Sequence, residues 1–68
     1  MRVKYNGVNY EIKIRRTYNF YGEKVKVVDE KYGFIFYEHE QSGCKLYNIC
    51  HIEEFAEQNP EIVFSVER

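Results

Sequence analysis

Three short apolar runs, Val25-Lys26-Val27-Val28, Phe34-Ile35-Phe36-Tyr37 and Lys45-Leu46-Tyr47-Asn48-Ile49, decide the fold. They are rich in β-branched and aromatic side chains, and turn-forming residues separate them, so they read as consecutive antiparallel strands. The connection Asp29-Glu30-Lys31-Tyr32-Gly33 predicts Val27 opposite Ile35 and Val25 opposite Tyr37 on one face, with Val28 opposite Phe34 and Lys24 opposite Glu38 on the other. The connection Glu40-Gln41-Ser42-Gly43 predicts Tyr37 opposite Leu46, Phe36 opposite Tyr47 and Glu38 opposite Lys45. Phe34, Phe36, Tyr47 and Ile49 then share the face opposite Val27, Ile35 and Leu46, and that second apolar face calls for a cover.

The segment that follows supplies a candidate. Ile49, Ile52, Phe55 and Ala56 recur at helical spacing, so residues 51–58 read as a short amphipathic helix laid on that face. Asn48 is the expected N-cap, Glu53 and Glu54 suit the early turns, and Asn59-Pro60 stops the helix because the residue before proline is driven out of the α region. Ile62, Phe64 and Val66 alternate with Val63, Ser65 and Glu67 as a last strand.

Upstream, Tyr5-Asn6-Gly7-Val8 is a type I′ hairpin signal, since Asn-Gly supplies both positive-φ positions of a two-residue turn. It fixes Tyr5 opposite Val8, Val3 opposite Tyr10, Met1 opposite Ile12, Arg2 opposite Glu11 and Lys4 opposite Asn9, with the second strand running on through Ile14. From Arg15 to Glu23 no period survives, which reads as a long loop ending near Gly22 that carries Tyr18, Phe20 and Tyr21. The order β-β-β-β-β-α-β fits a small SH3-like antiparallel β-barrel with one short helix before the last strand. The alternative is an open, strongly twisted antiparallel sheet with the helix on one face.

A chain of 68 residues has room for one domain and buries only roughly 60% of the surface its unfolded form exposes. Seven Tyr and five Phe compensate with large apolar area, and the tyrosines keep a hydroxyl wet at the edge of a thin core. Net charge is −1, but residues 1–26 hold seven Lys/Arg against two Glu, or +5, and residues 27–68 hold three against nine, or −6. That asymmetry fits a basic face, an acidic face, or two halves that neutralise each other on folding.

Cys44 and Cys50 are too few for a disulfide framework, and six residues of strand set them roughly 20 Å apart, against a limit of ~7 Å for a bridge. Free thiols, no apolar leader after Met1 and no membrane-length run lead to the expectation of a cytoplasmic protein without a membrane partner.

His39, Cys44, Cys50 and His51 hold the residue types of a tetrahedral zinc site, but Cys50 and His51 are adjacent while His39 and Cys44 flank another hairpin. The close paired spacing of zinc knuckles is missing, so no cofactor or metal is expected. Cys50, His51 and Glu54 contain a nucleophile, a base and a carboxylate. Neighbouring side chains point apart, however, and no glycine-rich phosphate loop is present, so no enzyme is expected. The acidic run Glu53, Glu54, Glu57 and Glu61 fits a solvated helix face as well as a docking face.

The expected function is that of a non-enzymatic binding module, a small regulator or inhibitor that docks on another protein. The candidate contact residues are Arg15, Arg16, Tyr18, Phe20, Tyr21 and Lys24, because aromatic and Arg side chains dominate interface cores. The same basic and aromatic mixture, with Lys13 and Lys26, fits single-stranded nucleic acid as a second reading. An exposed strand edge is the candidate surface for pairing with a second copy.

Overall fold

A computed structural model of the chain describes residues 1–40 and 47–67. Seven strands and one short helix follow in the order β1 (Arg2–Tyr5), β2 (Val8–Glu11), β3 (Thr17–Phe20), β4 (Glu23–Lys31), β5 (Phe34–His39), β6 (Asn48–His51), α1 (Ile52–Gln58), a 3-10 turn (Pro60–Ile62) and β7 (Val63–Val66). They form two antiparallel sheets, one ordered β1-β2-β7 and the other β3-β4-β5-β6. Among the described residues no ladder joins the two sheets, so the chain is mainly antiparallel β with one short helix, and neither sheet closes into a barrel.

Two-residue turns with both central residues at positive φ build three of the hairpins: Asn6-Gly7 at 51° and 77°, Tyr21-Gly22 at 52° and 81°, and Tyr32-Gly33 at 52° and 83°. Such turns match the right-handed twist of the strands they join. The first hairpin keeps the expected register, from Arg2 opposite Glu11 to Tyr5 opposite Val8. Met1 and Ile12 exchange two main-chain bonds of 2.8 Å. The second strand ends at Glu11 rather than Ile14, and Ile14 lies exposed in a turn.

The long loop expected over residues 15–23 is instead strand β3 and its turn. Tyr18 and Phe20 alternate inward between Thr17 and Asn19, and β3 pairs with β4 through Tyr18 opposite Val25. Over four residues that period is too short to stand out, and Tyr21 occupies the turn position where Asn normally signals a hairpin.

Between β4 and β5 the meander register differs from the expected one by two residues up to Val27 and by three beyond the bulge that follows it. Strand β4 runs on to Lys31 through a bulge at Val28, which leaves a two-residue turn in place of five and sets Val27 opposite Tyr37 and Val25 opposite His39. Lys26, not Lys24, stands opposite Glu38, and Lys31, not Val28, stands opposite Phe34. The next pair shifts alike, with Phe36 opposite Ile49 instead of Tyr47. An even shift preserves faces, and beyond Val27 the extra residue of the bulge restores the parity, so Val25, Val27, Ile35 and Tyr37 are buried together as expected. The Leu46 and Lys45 pairings lie outside the described residues.

The helix covers this Val27/Ile35 face, not the Phe34/Phe36 face: Ile52 and Phe55 are buried with Ile35, and the Phe55 ring meets Tyr18 at 5.4 Å and Phe20 at 5.8 Å. Its N-cap is His51, whose Nδ1 accepts the Glu53 N–H at 3.2 Å, rather than Asn48. Val3, Tyr10 and Ile12 of the first sheet close the core from the other side. At the helix C-terminus the buried Asn59 Nδ2 donates to the carbonyls of Asn19 (2.8 Å) and Phe55 (3.3 Å), which stitches α1 to the edge of β3. The last strand does not alternate as expected, because a bulge at Phe64 interrupts its pairing with β2. Ile62 is buried, but Phe64 and Val66 face solvent.

Candidate functional site

With the core on one face of the four-stranded sheet, no described residue is packed across the other face. The pairings set its side chains in rows across β4, β5 and β6: Lys31, Phe34 and His51; then Asp29, Phe36 and Ile49; then Lys26 and Glu38. Tyr47 joins them just before β6, and the bulged Val28 adds to the same side; together with Asp29, Lys31 and Phe36 these two line a shallow groove. Phe34 is 47% exposed, and Tyr47 and Ile49 are each 58% exposed. A monomer of this size normally hides such a cluster, and a contiguous apolar face rimmed by charge is the usual mark of a docking surface.

One corner of the face is rigid. His51 Nδ1 accepts a main-chain N–H, so the ring proton sits on Nε2, which donates to Tyr5 Oη at 3.0 Å. The same ring stands edge-on to Tyr5 at 4.9 Å and to Phe34 at 5.6 Å. Beside it projects Tyr32, 92% exposed. A bulky residue at positive φ carries backbone strain that Asn or Gly would relieve, so Tyr32 contributes neither burial nor good turn geometry.

The residues singled out from sequence are dispersed. Tyr18 and Phe20 are buried core, and the Tyr18 hydroxyl accepts the Lys13 N–H at 3.0 Å. Arg15, at φ 69°, and Arg16 sit at the β2–β3 turn, with the Arg16 guanidinium 5.7 Å from the Tyr18 ring centre. Tyr21 and Lys24 lie at the opposite end of β3, both exposed. Local desolvation where the ring lies against the protein surface, and then the charges of Glu54 and Glu57, push the Tyr21 phenol pKa up. Arg2 pairs with Glu11 at 3.1 Å and Lys4 with Glu67 at 2.7 Å, so part of the N-terminal positive charge is neutralised locally and part by the far end of the described chain.

Cys50 is buried beside Ile35, and desolvation, with Glu54 adding, raises its thiol pKa to about 12. Its protonated form dominates at neutral pH, whereas nucleophilic attack and metal binding use the thiolate. His39 Nδ1 lies 3.0 Å from Glu23 Oε2. Among the described residues no three His, Cys, Asp or Glu side chains converge on one point; Cys44 lies outside them. Among the described residues no helix is long and apolar enough to cross a membrane.

The sequence groups Phe34, Phe36, Tyr47 and Ile49 on one face and predicts the helix over it, whereas the helix packs on the Ile35 face. The missed signal is arithmetic: a seven-residue helix has a single apolar stripe, and Ile52 and Phe55 spend it on the Ile35 side. Comparison with models of protein families, with curated proteins and with solved structures finds no match to this chain.

Proposed function

We propose that the chain is a non-enzymatic protein-binding module, a small regulator or inhibitor that docks on another protein through the outer face of β4, β5 and β6. The observation that carries this reading is the row of Phe34, Phe36, Ile49 and Tyr47, which no described residue packs across. Tyr32 strengthens it, because a strained and exposed aromatic at a turn tip suits an interface anchor better than a turn. Lys24 borders the same face, while Arg15, Arg16 and Tyr21 are secondary surface contacts held in place by the buried Tyr18 and Phe20. The architecture is read as an SH3-like fold whose barrel stays open between its two sheets, with Tyr5 of β1 and His51 of β6 meeting through side chains. A buried free thiol is in keeping with a reducing, cytoplasmic setting.

Single-stranded nucleic acid is the second reading, favoured by Lys24, Lys26 and Lys31 along β4 beside the aromatic row. Asp29 and Glu38 among them leave this face near neutral, which favours a protein.

The test is affinity capture from the source cell with wild type and with the Phe34→Ser/Tyr47→Ser double variant, each with and without nuclease. Nuclease-resistant partners should be lost from the variant while its melting temperature stays put, an effect on the order of 2 kcal/mol for an anchor pair. An unchanged capture profile would remove this face from the function, and capture abolished by nuclease and by moderate salt would favour nucleic acid.

A further inference from the structure

A sheet edge is a row of unpaired main-chain donors and acceptors, and folded proteins guard it with cations, bulges or a covering group. Three of the four edges here are guarded. Arg2 and Lys4 stand on β1, and the bulge at Phe64 breaks the line of β7. Asn59 covers the Asn19 carbonyl of β3, with the Gln58 side chain accepting the Tyr21 N–H at 3.4 Å just beyond. Among the described residues, edge β6 is met only at its His51 end, by the Tyr5 side chain, and has no such device along Tyr47 to Ile49. Tyr47-Asn48-Ile49-Cys50-His51 contains no charged residue other than a histidine, no proline and no bulge against β5.

The main-chain bond from the Ile52 N–H to the Gly33 carbonyl, 2.8 Å, fixes the alternation along β6. In an antiparallel ladder every second residue turns both of its main-chain groups to the neighbour. Cys50 and Asn48 therefore bond to β5, and the Ile49 N–H and C=O point to the open side.

We infer that β6 pairs with β6 of a second copy of this chain, antiparallel about a two-fold axis at Ile49, to make one continuous eight-stranded sheet. The symmetry is self-complementary: Ile49 meets Ile49, Tyr47 meets His51, and no like charges oppose each other. The apolar row Phe36–Ile49 then continues into its own symmetry mate, so the paired copies present a doubled face. The contact consists of the β6 main chain and the flanks of the Ile49 and Tyr47 side chains, while Phe34 stays on the open face, so it lies below the about 1,200 Å² in total of standard specific interfaces. A weak, reversible dimer is the outcome.

The inference rests on the docking reading only in sharing a border with the same face, and the two fail separately. Sedimentation equilibrium of the wild type from about 10 to 500 μM should show the mass doubling, and hydrogen exchange should show an Ile49 amide protected at high concentration and unprotected on dilution. Ile49→Lys should be monomeric throughout with an unchanged melt, since its side chain is mostly in solvent, while Phe64→Lys on the guarded β7 edge should dimerise normally. A wild type that stays monomeric over the whole range overturns the inference and leaves docking of another protein standing. So does an Ile49→Lys variant that dimerises as well as wild type, or dissociation caused by Phe64→Lys instead. A dimer alongside unchanged capture by Phe34→Ser/Tyr47→Ser supports the inference and removes the docking reading.

Discussion

Replacing Tyr32 by Asn should make the protein more stable. At φ 52° the Tyr32 backbone is in the left-handed region, where a side chain without special local hydrogen bonding costs about 1–2 kcal/mol and Asn costs much less. Because the ring is 92% exposed, its removal forfeits almost no buried area. The turn's other support, the Glu30 carboxylate accepting the Gly33 N–H at 2.8 Å, does not involve the Tyr32 side chain. A net gain of about 0.5–1 kcal/mol follows, which for a chain of this length raises Tm by about 2–8 °C. In urea, with a slope near ~1 kcal/mol per molar, the midpoint moves up by roughly 0.5–1 M. Tyr21→Asn, at φ 52° in the equivalent turn, should gain less, because its ring meets Phe20 edge-on at 4.6 Å and that contact is lost. Paired melts of both variants against wild type decide the matter. A Tyr32→Asn protein no more stable than wild type would show that the turn holds no releasable strain, and with it would go the argument that Tyr32 is kept for contact.

Ile35→Ala, at a fully buried position against Cys50 on the central strand, should cost roughly 2–5 kcal/mol in a denaturant melt. Gly33→Ala should destabilise by more than the ~1 kcal/mol of a strained turn alone, because its Cβ would stand 2.4 Å from a Tyr5 ring carbon; thermal unfolding checks it. Tyr18→Ser and Phe20→Ser should each lower Tm sharply while Tyr21→Ser barely moves it, which separates the two core rings from the surface one. Cys50 should resist iodoacetamide at pH 8 in the native state and react at the rate of opening. Its raised thiol pKa also makes a stability contribution that is intact below pH 9 and lost as pH rises toward about 12, a decline that Cys50→Ala should lessen in melts across that range.

The N-terminal hairpin was legible down to its register because Asn-Gly states its own geometry, and the in-and-out faces of the meander were legible because apolar residues alternate at period two. What failed was counting: Tyr21-Gly22 and Tyr32-Gly33 are turns of the same kind with the wrong first residue for recognition, so one strand was read as loop and one two-residue turn as five. The bulge at Val28 absorbs the difference and keeps Val25, Val27, Ile35 and Tyr37 on the buried face. The candidate site was visible as residues and invisible as a surface. Phe34, Phe36 and Ile49 were grouped correctly, but which side of a two-sided apolar sheet a helix covers depends on the path of the chain after Cys50. That path turns at His51, whose cap to Glu53 and bond to Tyr5 no spacing rule announces.

The pairing of β2 with β7 joins Val8 to Val66, nearly the whole length of the chain, whereas the three turn-closed hairpins each close over two residues. Local hairpins form in about 1–10 μs, but a contact of such wide sequence separation waits until the chain between its ends is already compact. Strand β7 is therefore expected to dock last on the way in and to leave first on the way out. In refolding, substitutions along Val63–Val66 should change the unfolding rate and leave the folding rate nearly untouched. Under native conditions the Glu67 amide, bonded to the Gly7 carbonyl at 2.7 Å, should exchange well before the amides of β4 and β5.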